Sequence, residues 1–343
     1  MLAVQKTDVH QPLTLQDVPT PQHCGPDQVL IQIHATGICG SDLHLAHWTG
    51  WPAERLPLTL GHEFSGVVTA VGERVRQPTV GARVVVQSDV VCGQCEACRR
   101  GDTARCAQLG FIGVTHAGAF CSHIAVAASS CLTLPDALDL DIAALAEPLA
   151  VARCALRTSG LQAGDTALVL GPGSIGQAIA LQALDLGARH VVVAGLNDEA
   201  RLAQCQALGL THTVDLAHDT VPQALQRLTG EATVQHVFEA TGHPQSIADG
   251  LGVLGVGGVL TVCGVHFQPA TVDTRLIVMN RLQVRGSLGS ATQDWHEVLA
   301  FMARRGADLA PMITHRVPLQ AFERGFELAR SKAASKVLLL PTA

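Results

Sequence analysis

Two rhythms of apolar and polar positions run along the chain, and one gives way to the other near residue 155. Before that point, short apolar runs alternate with polar residues and are broken by Gly and Pro: QVLIQIHATGICG, FSGVVTAVGERV, ARVVVQ and GAFCSHIAV. Period-two alternation between such breakers predicts half-buried β-strands. A stretch with apolar residues at helical spacing, DIAALAEPLAVARCALRTSG, closes this part. From Asp165 onward, strands alternate with helices. DTALVLGPGSIGQAIALQALDLGA predicts strand, glycine turn and helix; HVVVAGLN a strand; DEARLAQCQALG a helix; VQHVFEATG and GVLTVCGV two more strands. Alternation of this kind predicts a doubly wound parallel sheet with crossover helices. A helix in DWHEVLAFMARRG and a strand in KVLLLP follow, and no repeat or low-complexity linker marks a boundary. The pattern therefore predicts an α/β protein with a β-rich domain over 1–155 and 290–343 and a parallel-sheet domain over 156–289.

The glycine turn changes the picture first. Gly171, Gly173 and Gly176, with Ser174 and Ile175 between them, follow the strand ALVL and open a helix. Glycines so placed allow a tight turn, close approach to a pyrophosphate and close helix–strand packing, which points to a dinucleotide. The next strand should end in an acid that accepts hydrogen bonds from the adenosine ribose. It reads VVVAG, with Gly195 at that place. Asn197 and Asp198 follow closely enough to reach back. Arg201 raises NADP, although an arginine in a first helical turn is commonly a solvated one. NAD is the favoured cofactor on this reading, with NADP as the alternative.

Of 343 residues, 48% are hydrophobic, ample for two cores, and the net charge of −6 gives no reason to expect nucleic acid or an anionic membrane. The start of the chain lacks the features of a signal peptide, and no apolar run is long enough to span a bilayer. A soluble cytoplasmic protein with reduced thiols is expected. Eleven cysteines, scattered, do not form a disulfide framework. Four of them, Cys92, Cys95, Cys98 and Cys106, fall in CGQCEACRRGDTARC. Thiolates at this spacing suit a tetrahedral S4 zinc site, and Arg99, Arg100 and Arg105 stand beside it to offset its charge. The ferredoxin spacing and trailing proline of an Fe–S site are absent. Four protein ligands leave no position for substrate, so this zinc is structural. A second ligand set lies elsewhere: Cys39 in GICGSDLH, His62 and Glu63 in LGHEFSG, and Glu147 in AEPLA. All are donor types that zinc accepts. Neighbours in a regular strand point to opposite faces, so His62 and Glu63 can share a metal only if the backbone turns, which Gly61 permits.

In family order, GICGSDLH, GHEFSGVV, GARVVV, CGQCEACRRGDTARC, AEPLA, GPGSIG and KVLLLP span nearly the whole chain. In these motifs it resembles the zinc-dependent medium-chain dehydrogenase/reductase superfamily, and within it the alcohol and polyol dehydrogenases. The glutamate at 147 resembles the branch of sorbitol, butanediol and threonine dehydrogenases. The resemblance implies a GroES-like β-rich catalytic domain, a Rossmann domain and two zincs per chain. It makes Cys39 and His62 ligands of the catalytic zinc, with Glu63 and Glu147 as carboxylate or water-exchanging ligands. It further implies a Ser41–His44 proton relay, backbone contacts from Cys263, Gly264 and Val265 to the nicotinamide amide, and a homo-oligomer, often a tetramer. Asp42 is expected to support the loop or orient a ligand.

The implied reaction is hydride transfer from a secondary alcohol, as a small-molecule polyol, vicinal diol or amino alcohol, to NAD. Substrate and nicotinamide would meet in a cleft between the domains. Trp48 and Trp51 lie near the implied pocket, with a spacing similar to that of threonine dehydrogenases, and Glu147 and His47 would keep one side polar. Gly289 and the absence of tyrosine depart from sorbitol dehydrogenases. The alternatives are an NADP-preferring alcohol dehydrogenase or carbonyl reductase and, from another class, a zinc-ribbon binding protein without turnover.

Overall fold

A computed structural model describes residues 1–341. The chain divides into two compact units: Met1–Glu147, Leu299–Ser331 and the segment from Lys336 form one, and Pro148–Val298 with Lys332–Ser335 the other. The last two residues of the expected catalytic-domain tail, 342–343, lie outside the described residues.

The first unit is built on Gln28–Gly37. Its inward positions Val29, Ile31, Ile33 and Ala35 are all fully buried, as the alternation predicts. Around it runs a seven-stranded sheet in the order Cys131–Thr133, Arg83–Val86, Glu63–Val71, Gln28–Gly37, Lys336–Leu340, Ile313–Pro318, with His123–Ala127 also paired to Gln28–Gly37. Phe64, Val68, Val84, Val86, Ile124 and Val126 complete the core under this sheet. A smaller sheet joins Thr14–Asp17, Leu2–Lys6 and Leu58–Thr59. The helical run before residue 160 is broken into Leu140–Ala143 and Ala146–Ser159. Pro148 falls in the first turn of the second helix, where a missing N–H is tolerated.

The second unit is a six-stranded parallel sheet in the order Thr213–Asp215, His190–Gly195, Thr166–Leu170, Val234–Glu239, Leu254–Val262, Gln283–Gly286. The three central strands are buried almost throughout, which explains their continuous apolar runs. The two edge strands, TVD and QVRG, are short and polar and carry no alternation to betray them. No helix among the described residues is long and apolar enough to cross a membrane.

Candidate active site

The site in the first unit begins with a register. Gly37 pairs with Glu63 across the antiparallel strands. A Cβ on Gly37 would stand 2.1 Å from Glu63 Oε2, so only glycine leaves the carboxylate room. Into the same space comes Lys336, from the neighbouring strand that pairs Leu338 with Gly37. Its Nζ donates to both carboxylate oxygens of Glu63, at 2.8 and 2.6 Å, and to the Ile38 carbonyl at 3.1 Å. Burial would lower the Lys336 pKa, but Glu63, Cys39 and Glu147 outweigh it and hold the ammonium above its ordinary value. Lys336 was not singled out in the sequence. A lone lysine opening an otherwise apolar strand is the signal that could have found it.

Gly61 provides the turn that His62 and Glu63 need. Its φ is +92°, and a Cβ there would lie 2.4 Å from the Phe120 ring. The strand begins only at Glu63, so His62 is free of the alternation. Cys39 is the extended N-cap of the helix Gly40–His47, and its N–H donates to Asp42 Oδ2 at 2.8 Å. The other oxygen of the fully buried Asp42 faces His62 Nδ1 at 3.7 Å, while His62 Nε2 lies 3.4 Å from Ser41 Oγ. Asp42 therefore holds the loop through Oδ2 and sets a negative charge beside the imidazole.

One donor atom each from Cys39, His62 and Glu63 lie within 4.8 Å of one another. Glu147 is not part of that set but acts on it. Burial pushes its pKa up to about 7; Glu63 and Asp89 add to this, while His62 and Lys336 oppose it. Burial also works against protonated His62, yet Asp42, Cys39 and Glu147 raise its pKa well above the usual imidazole value. Negative groups thus crowd one point, and His62 Nδ1 and Asp42 Oδ1 are buried with no hydrogen-bond partner among the described residues. A divalent cation bound through Cys39, His62 and a carboxylate fits this excess of charge.

Ser41 and His44 share a helix face at i, i+3. Burial and the neighbouring His47 lower the His44 pKa. His47 lines a cavity of about 340 Å³ with Leu13, Phe322, Glu323 and Phe326, whose lining includes none of the donor set. Trp48 is 3% exposed and packs in the core. Trp51 remains half-buried, its ring 6.4 Å from that of Trp48 and 5.8 Å from the Arg55 guanidinium.

The cysteine lobe forms a second cluster, held by the short strands Asp89–Val90 and Gly110–Phe111 and the turn Glu96–Arg99. One sulfur from each of Cys92, Cys95, Cys98 and Cys106 lies within 4.8 Å of the others, with Cys92 at 4.0 Å from Cys98 and 3.6 Å from Cys106. Sulfurs bound at about 2.3 Å to one zinc stand roughly 3.8 Å apart, so these spacings fit. Backbone N–H groups of Cys98 and Ala107 pull the Cys95 thiol down to about 6, while burial and its thiol neighbours push Cys98 up to about 12. Two of the flanking arginines look elsewhere: Arg100 pairs with Glu96 and Arg105 with Asp102.

In the second unit, Gly171 has φ +107° and Gly173 is the extended N-cap of Ser174–Asp185. A Cβ on Gly176 would fall 1.8 Å from the Gly171 carbonyl oxygen, the close packing that the motif predicts. Gly195 ends its strand, as read. Asn197 adopts φ +50°, and its N–H, with those of Asp198 and Ala217, donates to Asp215. Asp198 is buried and paired with Arg201. Arg201 Nη1 lies 3.5 Å from where a Cβ on Gly173 would be, so its guanidinium leans over the glycine turn. Cys263, Gly264 and Val265 follow the strand Leu254–Val262, at the carboxyl end of the sheet.

A glycine turn on a parallel sheet, with two clusters of zinc donors in a β-rich unit, defines a zinc-dependent, nucleotide-linked oxidoreductase. Comparison with known proteins gives the family. Residues 25–136 match the alcohol dehydrogenase GroES-like domain and residues 174–304 the zinc-binding dehydrogenase domain. The chain is 36% identical to L-threonine 3-dehydrogenase of Bacillus subtilis (strain 168), over 99% of each. Among solved structures, 2R,3R-butanediol dehydrogenase from Bacillus subtilis superposes with a TM-score of 0.88 at 29% identity, covering 99% of both chains. A zinc-binding dehydrogenase from Sinorhizobium meliloti 1021 bound to NADP gives 0.90 at 28%, again over 99% of both. The chain belongs to the zinc-dependent medium-chain dehydrogenase/reductase superfamily and is an alcohol-oxidising enzyme. The full-length matches set aside the zinc-ribbon alternative.

The buried ion pair yields a stability prediction. Removing one partner of such a pair costs about 3–5 kcal/mol, because the other charge is left buried alone. Lys336→Ala should lose that much in urea unfolding. The double change Lys336→Met with Glu63→Gln should recover most of it.

Proposed function

We propose that the enzyme oxidises a secondary alcohol bearing a neighbouring hydroxyl or amino group, using NAD or NADP. The observation that carries this reading is the convergence of Cys39, His62 and Glu63 beside Ser41, with Glu147 close enough to perturb them. Supporting the substrate class are the threonine and butanediol dehydrogenases among its relatives, and the half-buried Trp51 with Arg55 near it.

When bound, a catalytic zinc supplies Lewis acidity that lowers a hydroxyl pKa, and the nicotinamide supplies the hydride acceptor. The chain's own residues do the rest. Cys39 Sγ and His62 Nε2 would hold the metal, with the Asp42 carboxylate facing His62 Nδ1, and Glu63 or Glu147 would complete the shell. Lys336 neutralises Glu63 and keeps it facing the site. Ser41 Oγ accepts the substrate's hydroxyl proton and the His44 imidazole carries it outward. The cysteine lobe holds the second, structural zinc. In the other unit Gly171–Gly176 cradles the pyrophosphate at the helix N-terminus, and Cys263, Gly264 and Val265 contact the carboxamide.

At the ribose, NAD lacks its usual acceptor, since Gly195 has no side chain, Asp198 is bound by Arg201 and Asp215 by three backbone N–H groups. The Arg201 guanidinium offers a partner to a 2′-phosphate. The sequence leans to NAD, the ribose end leans to NADP, and both are used. The homo-oligomer is proposed at the edge strand Gln283–Gly286, around which Val278, Met279 and Leu288 are each more than 70% exposed.

Three measurements check this. The enzyme with Cys39→Ala should keep one zinc per chain instead of two and lose at least about a hundredfold in activity over a panel of threonine, butanediol and polyols; two zincs and parental turnover would sink the metal assignment. The acid limb of kcat should fall below the usual imidazole value of about 6.5, since burial keeps His44 neutral to lower pH, and His44→Asn should abolish that limb. Finally, kcat/KM for NAD and NADP should agree within about tenfold, and Arg201→Ala should depress only the NADP value, since removing a charge-assisted bond costs roughly that factor.

A further inference from the structure

The nucleotide-binding unit contains a buried acid–imidazole pair that the chemistry above does not use. Glu239 is fully buried at the end of Val234–Glu239, in register with Leu170 on one side and Val262 on the other. This is the reversal point of the sheet. From Thr166–Leu170 the chain adds His190–Gly195 and Thr213–Asp215 on one side, then crosses to Val234–Glu239 on the other. Ligands of open parallel sheets sit outside the carboxyl ends of the strands at such a point.

Every acceptor of Glu239 is engaged. Oε1 accepts from the N–H of Thr241 at 2.7 Å and of Gly242 at 3.0 Å, and from the hydroxyls of Thr241 at 2.5 Å and Ser246 at 2.8 Å. Oε2 faces His266 Nε2 at 2.8 Å. Burial pushes the carboxyl up, but the bonds from Thr241, His266 and Ser246 outweigh it and hold Glu239 below its ordinary pKa. Opposite an ionised carboxylate, Nε2 is the nitrogen that carries the proton and donates it. The other ring nitrogen, Nδ1, is buried and no described residue bonds to it.

The same carboxylate ties two loops together, and the glycine turn packs against them. A Cβ on Gly264 would lie 2.3 Å from the Gly242 nitrogen and 2.6 Å from Glu239 Oε2, and one on Gly171 would lie 2.9 Å from the Ala240 carbonyl oxygen. The glycine turn, the loop after Glu239 and the loop 263–267 are therefore packed backbone against backbone. Val265 and Phe267, on either side of His266, are 59% and 63% exposed. His266 alone of the three turns inward and fastens the loop.

We propose that His266 is a positioning residue for the nicotinamide end of the dinucleotide. Through Nε2–H to Glu239 it holds the backbone of Cys263, Gly264 and Val265 in the shape that receives the carboxamide, and Nδ1 is left as a buried acceptor for an amide N–H. The proposal rests on the dinucleotide reading of this sheet. It predicts a split between the two ends of the cofactor, which a general structural role does not.

Equilibrium binding by fluorescence or calorimetry tests it. The parent is titrated with the reduced dinucleotide that it binds, NADH or NADPH, and with ADP-ribose or its 2′-phosphate, which lack the nicotinamide. His266→Ala should weaken the reduced dinucleotide about tenfold, the size of one lost hydrogen bond, and leave the fragment within about twofold. His266→Gln, which can donate and accept, should restore most of the loss. Should His266→Ala not fold, His266→Phe fills the space without hydrogen bonds and carries the same comparison. Equal losses for both ligands, or no loss for either, overturn the assignment. A parent that binds neither ligand overturns the dinucleotide reading itself, and the proposal with it.

Discussion

Two full charges lie inside the β-rich unit, Lys336 and Glu63, each about 1% exposed and joined by both carboxylate oxygens. Removing them from water is costly, and their mutual attraction offsets that cost only when the geometry is good and every remaining group is satisfied. Much of the site is arranged around that condition. Gly37 leaves the space, the Ile38 carbonyl takes a further proton of the ammonium, and Gly61 frees His62 from the alternation that would point it away. With the ammonium fixed on one side, the remaining negative groups face inward toward a single point. The ion pair thus sets where a cation is wanted as well as holding three strands in register.

The second unit solves the reverse problem, since its ligand is an anion. It offers backbone N–H groups at a helix start, a guanidinium over the turn, and acids that are already engaged. Glu239 shows the same economy of charge: its carboxylate is consumed by three loop donors, the Ser246 hydroxyl and an imidazole. Negative charge at the carboxyl ends of these strands is thereby spent on shape instead of repelling phosphate.

The legible parts of the chain were those whose physics is local. The cysteine spacing, the glycine turn and the buried central strands each impose a pattern within fifteen residues, and the structure shows those patterns as folded units. The short edge strands Thr213–Asp215 and Gln283–Gly286 could not be read, because an edge with polar faces needs no alternation. Lys336 was missed for a different reason: its meaning lies in Gly37 and Glu63, on strands it reaches only through the fold. His266 was passed over likewise, since its partner stands 27 residues away at the end of another strand. Arg100 and Arg105 were read for a charge that they do not face, because nearer carboxylates compete for them.

The distance between the partners of the central ion pair has a consequence for biosynthesis. Lys336 and Glu63 are 273 residues apart in the chain. While a ribosome is still making the nucleotide-binding unit, Glu63 has already emerged without the ammonium that balances it. The β-rich unit can start to collapse early, but its most costly charge stays uncompensated until synthesis has passed residue 336. Long-range pairing of this sort is slow to form, and here it makes the finished ion pair a sign that the polypeptide has been read through. A chain cut short before that strand would keep Cys39, His62 and Glu63 and still lack the ammonium that pairs with the buried carboxylate.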